Sequence, residues 1–254
     1  DVGKEARFAV LSRDTRYLAP AYATGTISVW DVREGALLRE LTPEKGNDLP
    51  AAFLPDSSRL VTRFDRGFRE WNVLTGEKLR EWQHEERLPV WNPVLSPDGQ
   101  QFVAFGRGAV WQGSLSGEKV TGVELDVRQG TGAAFSPDGG MFAVASVLGH
   151  CELWDAQKSE RVGRLQGFLQ GTHSVTFSPD GRRLAIGSNG NEAVKLWDLE
   201  SRRELLTLRG KGSMFDAIRF SPDANVLAAR NSQGDLHIWR APSFGEIAEA
   251  ERLP

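Results

Sequence analysis

Six tandem repeats predict an all-β fold in which each repeat forms one small antiparallel sheet. Two observations carry this prediction: an Asp-centred turn recurs at intervals of 40 to 43 residues, and a strand pattern that closes on tryptophan follows each turn. The turn aspartates are Asp14, Asp56, Asp98, Asp138, Asp180 and Asp223. The tryptophans interpreted as strand-ending are Trp30, Trp71, Trp111, Trp154, Trp197 and Trp239. Because repeats of one period share a continuous core, the 254 residues are expected to form one domain.

The fifth repeat shows most clearly how one unit is built. A first strand at 173–177 leads through a Ser-Pro-Asp-Gly turn into a second strand at 183–187 and a third at 193–198. Proline presets φ, Asp bonds back to the backbone and Gly tolerates positive φ, so this turn makes a compact hairpin connection. Fourth strands are predicted at 36–41, 77–82, 161–165 and 204–208. Since side chains alternate along a strand, both faces of each sheet can be covered, and the tryptophans are expected to be buried between sheets.

This pattern resembles the WD40 repeat family, in which each repeat forms one four-stranded blade of a β-propeller. The resemblance covers about residues 6–240 and includes intact Trp-Asp pairs at Trp30-Asp31, Trp154-Asp155 and Trp197-Asp198. It implies a single propeller over residues 1–242. Its blades are expected at about 6–48, 49–89, 90–130, 131–172, 173–214 and 215–242. The C-terminal run 239–251 is also similar to the ends of WD40 regions in large bacterial multidomain proteins, some of them fused to Ser/Thr kinases.

The chain departs from the family pattern in two respects. The Trp-Asp pair is altered at Trp71-Asn72, Trp111-Gln112 and Trp239-Arg240. The family's Gly-His pair is absent, and Gly167-Phe168 and Gly210-Lys211 occupy its place. The resemblance therefore implies that the family's buried, His-mediated hydrogen-bond network is missing here.

The two ends of the chain raise the question of how the last blade is completed. After Trp239, residues 243–246 have the Ser-x-x-Glu spacing of a capping box, which predicts a short C-terminal helix over 243–254 instead of a fourth strand. Only residues 1–5 precede the first strand, too few to supply the missing one. The expectation is six visible blades with a three-stranded last blade, or a truncated seven-bladed propeller. A start at Asp1 without methionine further predicts that the chain is part of a longer protein.

Composition limits the possible partners. The net charge is −3, from 31 basic and 34 acidic residues, without a basic stripe, which argues against nucleic acid. The sequence contains no apolar stretch of eighteen residues, so it predicts no membrane span. Cys151 is the single cysteine, so no internal disulfide is possible; it is expected to be a small buried hydrophobe. The expected location is the cytoplasm, with the periplasm left open because the start looks trimmed.

The sequence offers no set of residues that predicts catalysis. Nucleophile-elbow, phosphate-loop and metal-helix motifs are absent, and the four histidines fall at different positions of the repeat. Loop carboxylates such as Glu44 and Asp48 are interpreted as solvated surface. The prediction is therefore a non-enzymatic chain with no cofactor and no metal.

The loops between blades are the predicted binding surface. They vary in length and composition at 42–50, 83–89, 166–172 and 209–213, and variable loops on a rigid scaffold commonly carry binding. The candidate contact residues are Arg87, Trp91, Phe168, Lys211 and Met214. For Trp91 and Phe168, filling a gap between degenerate blades is an equally weighted alternative.

The leading functional hypothesis is a scaffold or sensory module of a larger protein, which binds a protein, a peptide or another domain of its own chain. The first alternative is a periplasmic propeller of the TolB-like or peptidase-associated kind, which would require export. The second is a structural spacer or self-association module that pairs through the edge of its unfinished last blade.

Overall fold

The structure is a computed structural model in which six antiparallel sheets correspond one to one to the six repeats. It describes residues 6–22, 26–43, 48–83, 91–106, 109–115 and 121–241. The predicted class, an all-β propeller with six blades, is confirmed. The chain divides into two compact units, residues 1–126 and 127–254, with three blades in each.

Unit 1 contains three four-stranded blades whose strands pair in chain order. Blade 1 consists of β1 (Ala6–Leu11), β2 (Tyr17–Tyr22), β3 (Ile27–Asp31) and β4 (Ala36–Leu41). Blade 2 consists of β5 (Leu49–Phe53), β6 (Arg59–Phe64), β7 (Gly67–Asn72) and β8 (Lys78–Gln83). Blade 3 consists of β9 (Trp91–Leu95), β10 (Gln101–Gly106), β11 (Ala109–Ser114) and β12 (Thr121–Leu125).

Unit 2 contains two four-stranded blades and one three-stranded blade. Blade 4 consists of β13 (Gly130–Phe135), β14 (Met141–Ser146), β15 (His150–Asp155) and β16 (Glu160–Gln166). Blade 5 consists of β17 (Ser174–Phe177), β18 (Arg183–Gly187), β19 (Val194–Asp198) and β20 (Arg203–Leu208), with a 3₁₀ turn at Gly190–Glu192 before β19. Blade 6 consists of β21 (Phe215–Phe220), β22 (Val226–Asn231) and β23 (Leu236–Arg240). Its three strands match the expectation for the described residues, whereas the helix predicted over 243–254 lies outside them.

The Asp-centred turns have the predicted chemistry. In each of the six, Asp Oδ1 accepts a hydrogen bond from the backbone N–H two residues later, at 3.0 to 3.1 Å. In five, the preceding serine hydroxyl also donates to that carboxylate, for example Ser178 to Asp180 at 2.5 Å. The serine hydrogen bond is the main reason why the pKa values of four of these aspartates lie below the ordinary range, namely Asp14, Asp138, Asp180 and Asp223.

The fourth position of the turn is left-handed in all six repeats. Three repeats place glycine there, with φ of 71° to 73°, and three place an L side chain, with φ of 57° to 61°. The glycines are Gly99, Gly139 and Gly181, and the other residues are Thr15, Ser57 and Ala224. Because the left-handed region costs an L residue roughly 1–2 kcal/mol, the turns without glycine carry local strain.

Exchanging glycine and alanine between two of these turns is expected to have opposite effects on stability. Ala224→Gly should raise the free energy of unfolding by about 0.5–1 kcal/mol, since relief of strain exceeds the entropy cost of glycine. Gly181→Ala should lower it by a similar amount, because the new Cβ would meet only Pro137 at an ordinary 3.7 Å and backbone strain is the main cost. Urea unfolding of both variants checks the pair; a loss of stability in Ala224→Gly would contradict the strain argument.

The cores of unit 1 lie between neighbouring blades. Trp71 of blade 2 belongs to a buried cluster with Ile27 and other residues of blade 1. Phe68, on the other face of blade 2, packs against Phe102 of blade 3 with ring centroids 5.0 Å apart. Blade 2 is therefore covered on both faces, as the sequence predicts for a propeller blade.

Unit 2 repeats this arrangement. Trp197 of blade 5 is buried in a cluster with Cys151 and Leu153 of blade 4. Trp239 of blade 6 packs against a cluster that contains Val194 of blade 5. Burial of the tryptophan between blades is thus confirmed for Trp197 and Trp71, whereas Trp239 is only partly buried. The buried position of Cys151 is confirmed as well.

The interpretation of Trp111 as a strand-ending residue is wrong. Trp111 is the third residue of the six-residue strand β11 and pairs with Ala104. Trp71, by contrast, is the fifth of the six residues of β7 and pairs with Leu60. Gly113, which pairs with Phe102, holds the position that tryptophan has in the other blades. The tryptophan is therefore displaced by two positions toward the start of its strand. An even displacement keeps it on the same face, and Trp111 still packs against the core between blades 2 and 3.

A buried ionic network in blade 2 corrects the interpretation of Asp48 as solvated surface. Asp48 is fully buried; its Oδ2 accepts a hydrogen bond from Thr62 at 2.7 Å and its Oδ1 pairs with Arg69 at 2.5 Å. The indole N–H of Trp71 donates to the same threonine at 2.9 Å, and Arg69 also pairs with Glu81 at 2.8 Å. A carboxylate thus completes a hydrogen-bond chain to the blade tryptophan, in the absence of the family's histidine.

The other blades show what is lost without that histidine. In the described residues, the buried indole N–H groups of Trp30, Trp154 and Trp197 have no hydrogen-bond partner. The indole groups of these three blades therefore lack the hydrogen bond that Trp71 makes in blade 2.

Candidate functional site

Four neighbouring loops of unit 2 form a continuous surface. They are the connections 146–149, 167–173, 188–193 and 209–214, which we call the loop surface. Each connection lies at the end of a strand of blade 4 or blade 5, so the sheets fix the positions of both loop ends.

The first two loops are in close contact. Thr172 is buried; its N–H donates to the Ser146 carbonyl at 3.0 Å and its hydroxyl accepts from the Ser146 N–H at 2.9 Å. A Cβ on Gly171 would lie 2.7 Å from the carbonyl oxygen of Val147, so glycine is what allows the two backbones to approach.

The remaining loops are joined by side-chain hydrogen bonds to backbone. Ser188 donates to the carbonyl of Gly171 at 2.9 Å, and Glu192 accepts from the N–H of Leu169 at 2.8 Å. Asn189 accepts from the N–H of Met214 at 2.5 Å. These bonds hold the loops together and leave their apolar side chains outside.

The loop 209–214 is also attached to blade 6. The N–H of Lys211 donates to His237 Nε2 at 3.0 Å, and Asn231 donates to the Lys211 carbonyl at 3.0 Å. The His237 ring stacks on Trp239 with centroids 5.8 Å apart. The histidine therefore supports the loop and also takes part in the packing of the blade.

A charged cluster lies beneath the loop surface. Lys195 is nearly buried and pairs with Glu204 at 2.8 Å and with Glu192 at 3.2 Å. Burial opposes its charge, but these two carboxylates raise the pKa of Lys195 above its ordinary value. Its ammonium also lies 5.6 Å from the ring centroid of Phe168, a cation–π distance.

The loop surface carries several exposed apolar side chains. Leu169 is 87% exposed, Leu148 is 54% exposed and Met214 is 45% exposed. Met214 also has φ of +51°, a conformation that an unbranched L residue rarely adopts. Single exposed apolar residues are normal, but several on adjoining, hydrogen-bonded loops are a feature of interaction sites.

The structure brings together three of the five predicted contact residues. Met214 and Lys211 are exposed on the loop surface, and Phe168 belongs to the same surface with a partly buried ring, 6.3 Å from the ring of Trp197. Trp91 lies in unit 1, where its backbone begins β9 and pairs with Phe105. Arg87 lies outside the described residues.

Sequence reasoning missed Leu169 and Leu148. Leu169 directly follows Phe168 in a loop, and Leu148 occupies the turn between β14 and β15. The sequence did contain a signal for both: each leucine lies in a loop, where no strand of the repeat would bury it.

Among the residues that the structure describes, no group of three or more His, Cys, Asp or Glu side chains could hold a metal ion. Burial raises the pKa of the Cys151 thiol well above its usual range, so the thiolate is not formed near neutral pH. Burial also lowers the pKa of His173. No helix among the described residues is long and apolar enough to cross a membrane.

Comparison with known proteins finds relatives that are longer than this chain. Pre-mRNA-processing factor 19 homolog 2 of Arabidopsis thaliana is 24% identical over 249 residues, which cover 92% of this chain and 46% of that protein. The 77 kDa echinoderm microtubule-associated protein of Strongylocentrotus purpuratus is 29% identical over 145 residues, covering 57% of this chain and 21% of that protein. The small ribosomal subunit protein RACK1y of Oryza sativa subsp. japonica is 29% identical over 122 residues, covering 45% and 35% respectively. The matched regions thus span less than half the length of each of these relatives.

The family model "WD domain, G-beta repeat" matches residues 159–198. This segment contains β16 of blade 4 and β17 to β19 of blade 5, so one sequence repeat begins in one blade and continues in the next. The same strand order and Asp-centred turn recur in the rest of the described chain. Residues 159–198 therefore match a WD40 repeat, and the chain is a β-propeller that is similar to WD40-repeat proteins.

Proposed function

We propose that this chain is a non-enzymatic interaction module that binds a protein or peptide through the loop surface of unit 2. It acts as the scaffold or sensory arm of a longer cytoplasmic protein, and its partner is another protein or another domain of that same chain. The observation that carries the proposal is the set of exposed apolar side chains on loops whose backbones are fixed by hydrogen bonds.

The energetics of such a surface favour binding. Leu169 and Met214 are held by hydrogen bonds from their own N–H groups to Glu192 and Asn189, so little backbone freedom is lost when a partner covers them. Methionine is enriched at interfaces and adapts to irregular partners. Lys211, exposed beside them, adds a positive charge that can orient an acidic partner.

The names of the relatives support this class of function. They include a ribosomal subunit protein, a microtubule-associated protein and a transcriptional corepressor, which are names of proteins that work in assemblies. These relatives come from plants and an echinoderm, so the bacterial multidomain context stays a prediction from the C-terminal sequence.

Replacing two of the three exposed apolar side chains of the loop surface tests the proposal. The full-length protein carrying Leu169→Ser and Met214→Ser should lose at least about tenfold in affinity for its partner, because truncation of central apolar contacts commonly has effects of this size. The measurement is quantitative affinity capture from source cells, followed by titration of the recovered partner against the purified protein.

Leu205→Ser is the matched control. Leu205 is 55% exposed in the same unit, but it lies on the outer strand β20 and not on the loop surface. This variant should bind as the unmodified protein does. Equal binding by the loop variant and the control, or equal loss in both, would contradict the assignment of the loop surface.

A further inference from the structure

A cleft between blades 2 and 3 of unit 1 forms a second candidate site, separate from the loop surface. It has a volume of about 280 Å³. Glu70, Arg80 and Trp82 of blade 2 form one wall, and Asp98 and Leu115 of blade 3 belong to the other. A cavity of about 150 Å³ holds a benzene-sized molecule, so this cleft has room for one side chain with a flanking peptide group.

The cleft coincides with a departure from the repeat. Glu70 lies in strand β7 and pairs with Val61. At the equivalent position, four other blades have an apolar residue and blade 3 has Gln112. The apolar residues are Val29, Leu153, Leu196 and Ile238. Glu70 is thus the one charged residue at this position, and it is buried there with its side chain 8% exposed. A buried charge in place of an apolar residue costs stability unless it is paired, so the partners of Glu70 decide how this position is tolerated.

The acidic groups of the cleft already have partners. Glu70 pairs with Arg59 at 2.8 Å, and Arg59 pairs in turn with Asp56 at 2.6 Å. Asp98 accepts hydrogen bonds from the Ser96 hydroxyl and the Gln100 N–H. These carboxylates are therefore not available to attract a cation.

Arg80 is the charge that remains available. It is exposed, lies opposite Glu70 in the neighbouring strand, and its guanidinium is 5.4 Å from the ring centroid of Trp82. No carboxylate of the described residues forms an ion pair with it. A guanidinium held against an aromatic ring presents its remaining N–H donors as a fork that fits a carboxylate.

Leu79 supplies the exposed apolar surface of the cleft, whereas the lining residues Leu54 and Leu115 are only 7% and 2% exposed. Leu54 occupies the turn position that is serine in the other repeats, and it lies in the cleft together with Leu79 and Leu115. Leu79 is 44% exposed, so a bound group would remove apolar surface from water. The ligand that matches both features has a carboxylate next to an aliphatic group.

We propose that this cleft binds a peptide segment in which a carboxylate lies beside an aliphatic side chain, with Arg80 as the carboxylate partner. The carboxylate belongs to an acidic side chain or to a free C-terminus, and both present the same chemistry to Arg80. The site is independent of the loop surface, so it gives the module a second contact on a different unit.

Titration with three small peptides tests this site. The probes are acetyl-Gly-Leu-Glu amide, acetyl-Gly-Ala-Leu with a free C-terminus, and the neutral acetyl-Gly-Leu-Gln amide. Binding to the ¹⁵N-labelled chain is followed by NMR through the Trp82 indole N–H and the backbone amides of Gly99 and Gln100. We expect concentration-dependent shifts at these positions with one or both acidic peptides and none with the neutral peptide. The responding acidic peptide identifies the source of the carboxylate.

Two arginine variants at the same register complete the test. Arg80→Gln should weaken binding about tenfold, because it removes a charge-assisted contact. Arg39→Gln is the control: Arg39 pairs with Val29 as Arg80 pairs with Glu70, but its guanidinium donates to the Leu74 carbonyl. It should leave binding unchanged. Absence of shifts with both acidic peptides, equal binding of the neutral peptide, or undiminished binding by Arg80→Gln would each overturn the proposal.

Discussion

Replacing Arg69 with methionine is expected to lower the free energy of unfolding by about 3–5 kcal/mol, the range for breaking a buried ion pair from one side. The arginine side chain is 8% exposed, and its partner Asp48 is fully buried. Methionine would fill much of the same volume but would leave the Asp48 carboxylate without its cation. Burial already raises the pKa of Asp48, so the loss of Arg69 would favour its neutral form still more.

The second partner of Arg69 adds to this effect. Glu81 is partly exposed, and although burial opposes its charge, hydrogen bonds from Arg69, Gln83 and Lys78 lower its pKa to about 2. One arginine therefore stabilises two carboxylates, and it also lies over the ring of Phe64 at 3.9 Å. The variant loses all of these interactions together.

Lys195→Met is the matched control for Arg69→Met. Lys195 holds the same place in blade 5, two residues before the tryptophan, and is buried to the same extent. Its carboxylate partners Glu192 and Glu204 are 13% and 33% exposed, so water can solvate them when the lysine is removed. The expected loss is therefore smaller, roughly 1 kcal/mol. Urea unfolding followed by tryptophan fluorescence measures both; a loss in Arg69→Met no larger than in Lys195→Met would contradict the importance of Asp48 burial.

The variant Gly187→Ala is expected to lower the free energy of unfolding by about 1–3 kcal/mol through overpacking. A Cβ on Gly187 would lie 2.4 Å from the carbonyl oxygen of Phe215 and 2.5 Å from Ser174 Oγ. Ser174 donates to that same carbonyl at 2.6 Å, so blades 5 and 6 are joined at this point. The carbonyl belongs to the backbone and cannot rotate away as a flexible side chain could. The strands must separate, and the hydrogen bond that joins them should lengthen.

Gly140→Ala provides the comparison for Gly187→Ala. A Cβ there would meet only the side chain of Asp138, at an ordinary 3.5 Å, so its effect should stay within about 0.5 kcal/mol. Thermal and urea unfolding give the two stabilities, and amide hydrogen exchange at Phe215 reports whether the junction has opened. Protection of Phe215 equal to that of the unmodified chain, together with unchanged stability, would contradict the predicted close approach.

Local features of the fold followed from the sequence. The turns were predictable because proline, aspartate and glycine act on their own backbone and on the next few residues. The strand predicted at 36–41 is β4 (Ala36–Leu41), since alternation and a preceding glycine define such an element without reference to distant residues. The three-stranded last blade followed from the absence of a further strand pattern in the described part of the sixth repeat.

The candidate site was predictable in part. Its loops, with Lys211 and Met214, could be located from their place between repeats. Phe168 and Leu169 are adjacent in sequence, yet the ring of Phe168 packs near Trp197 while Leu169 is exposed. Which of the two side chains contacts the core depends on the path of the loop across blade 5, and composition carries no record of that path.

The sequence by itself determined the six repeats, their strand order and their turn chemistry, because these follow from short-range conformational preferences repeated six times. The tertiary structure alone decided the displaced register of Trp111, the burial of Asp48 between Thr62 and Arg69, and the cleft beside Arg80. Each of these depends on strand pairing and on which side chains from other strands and blades surround a residue. Burial and hydrogen-bond partners are properties of that spatial arrangement, so they emerge only when the sheets have formed and packed.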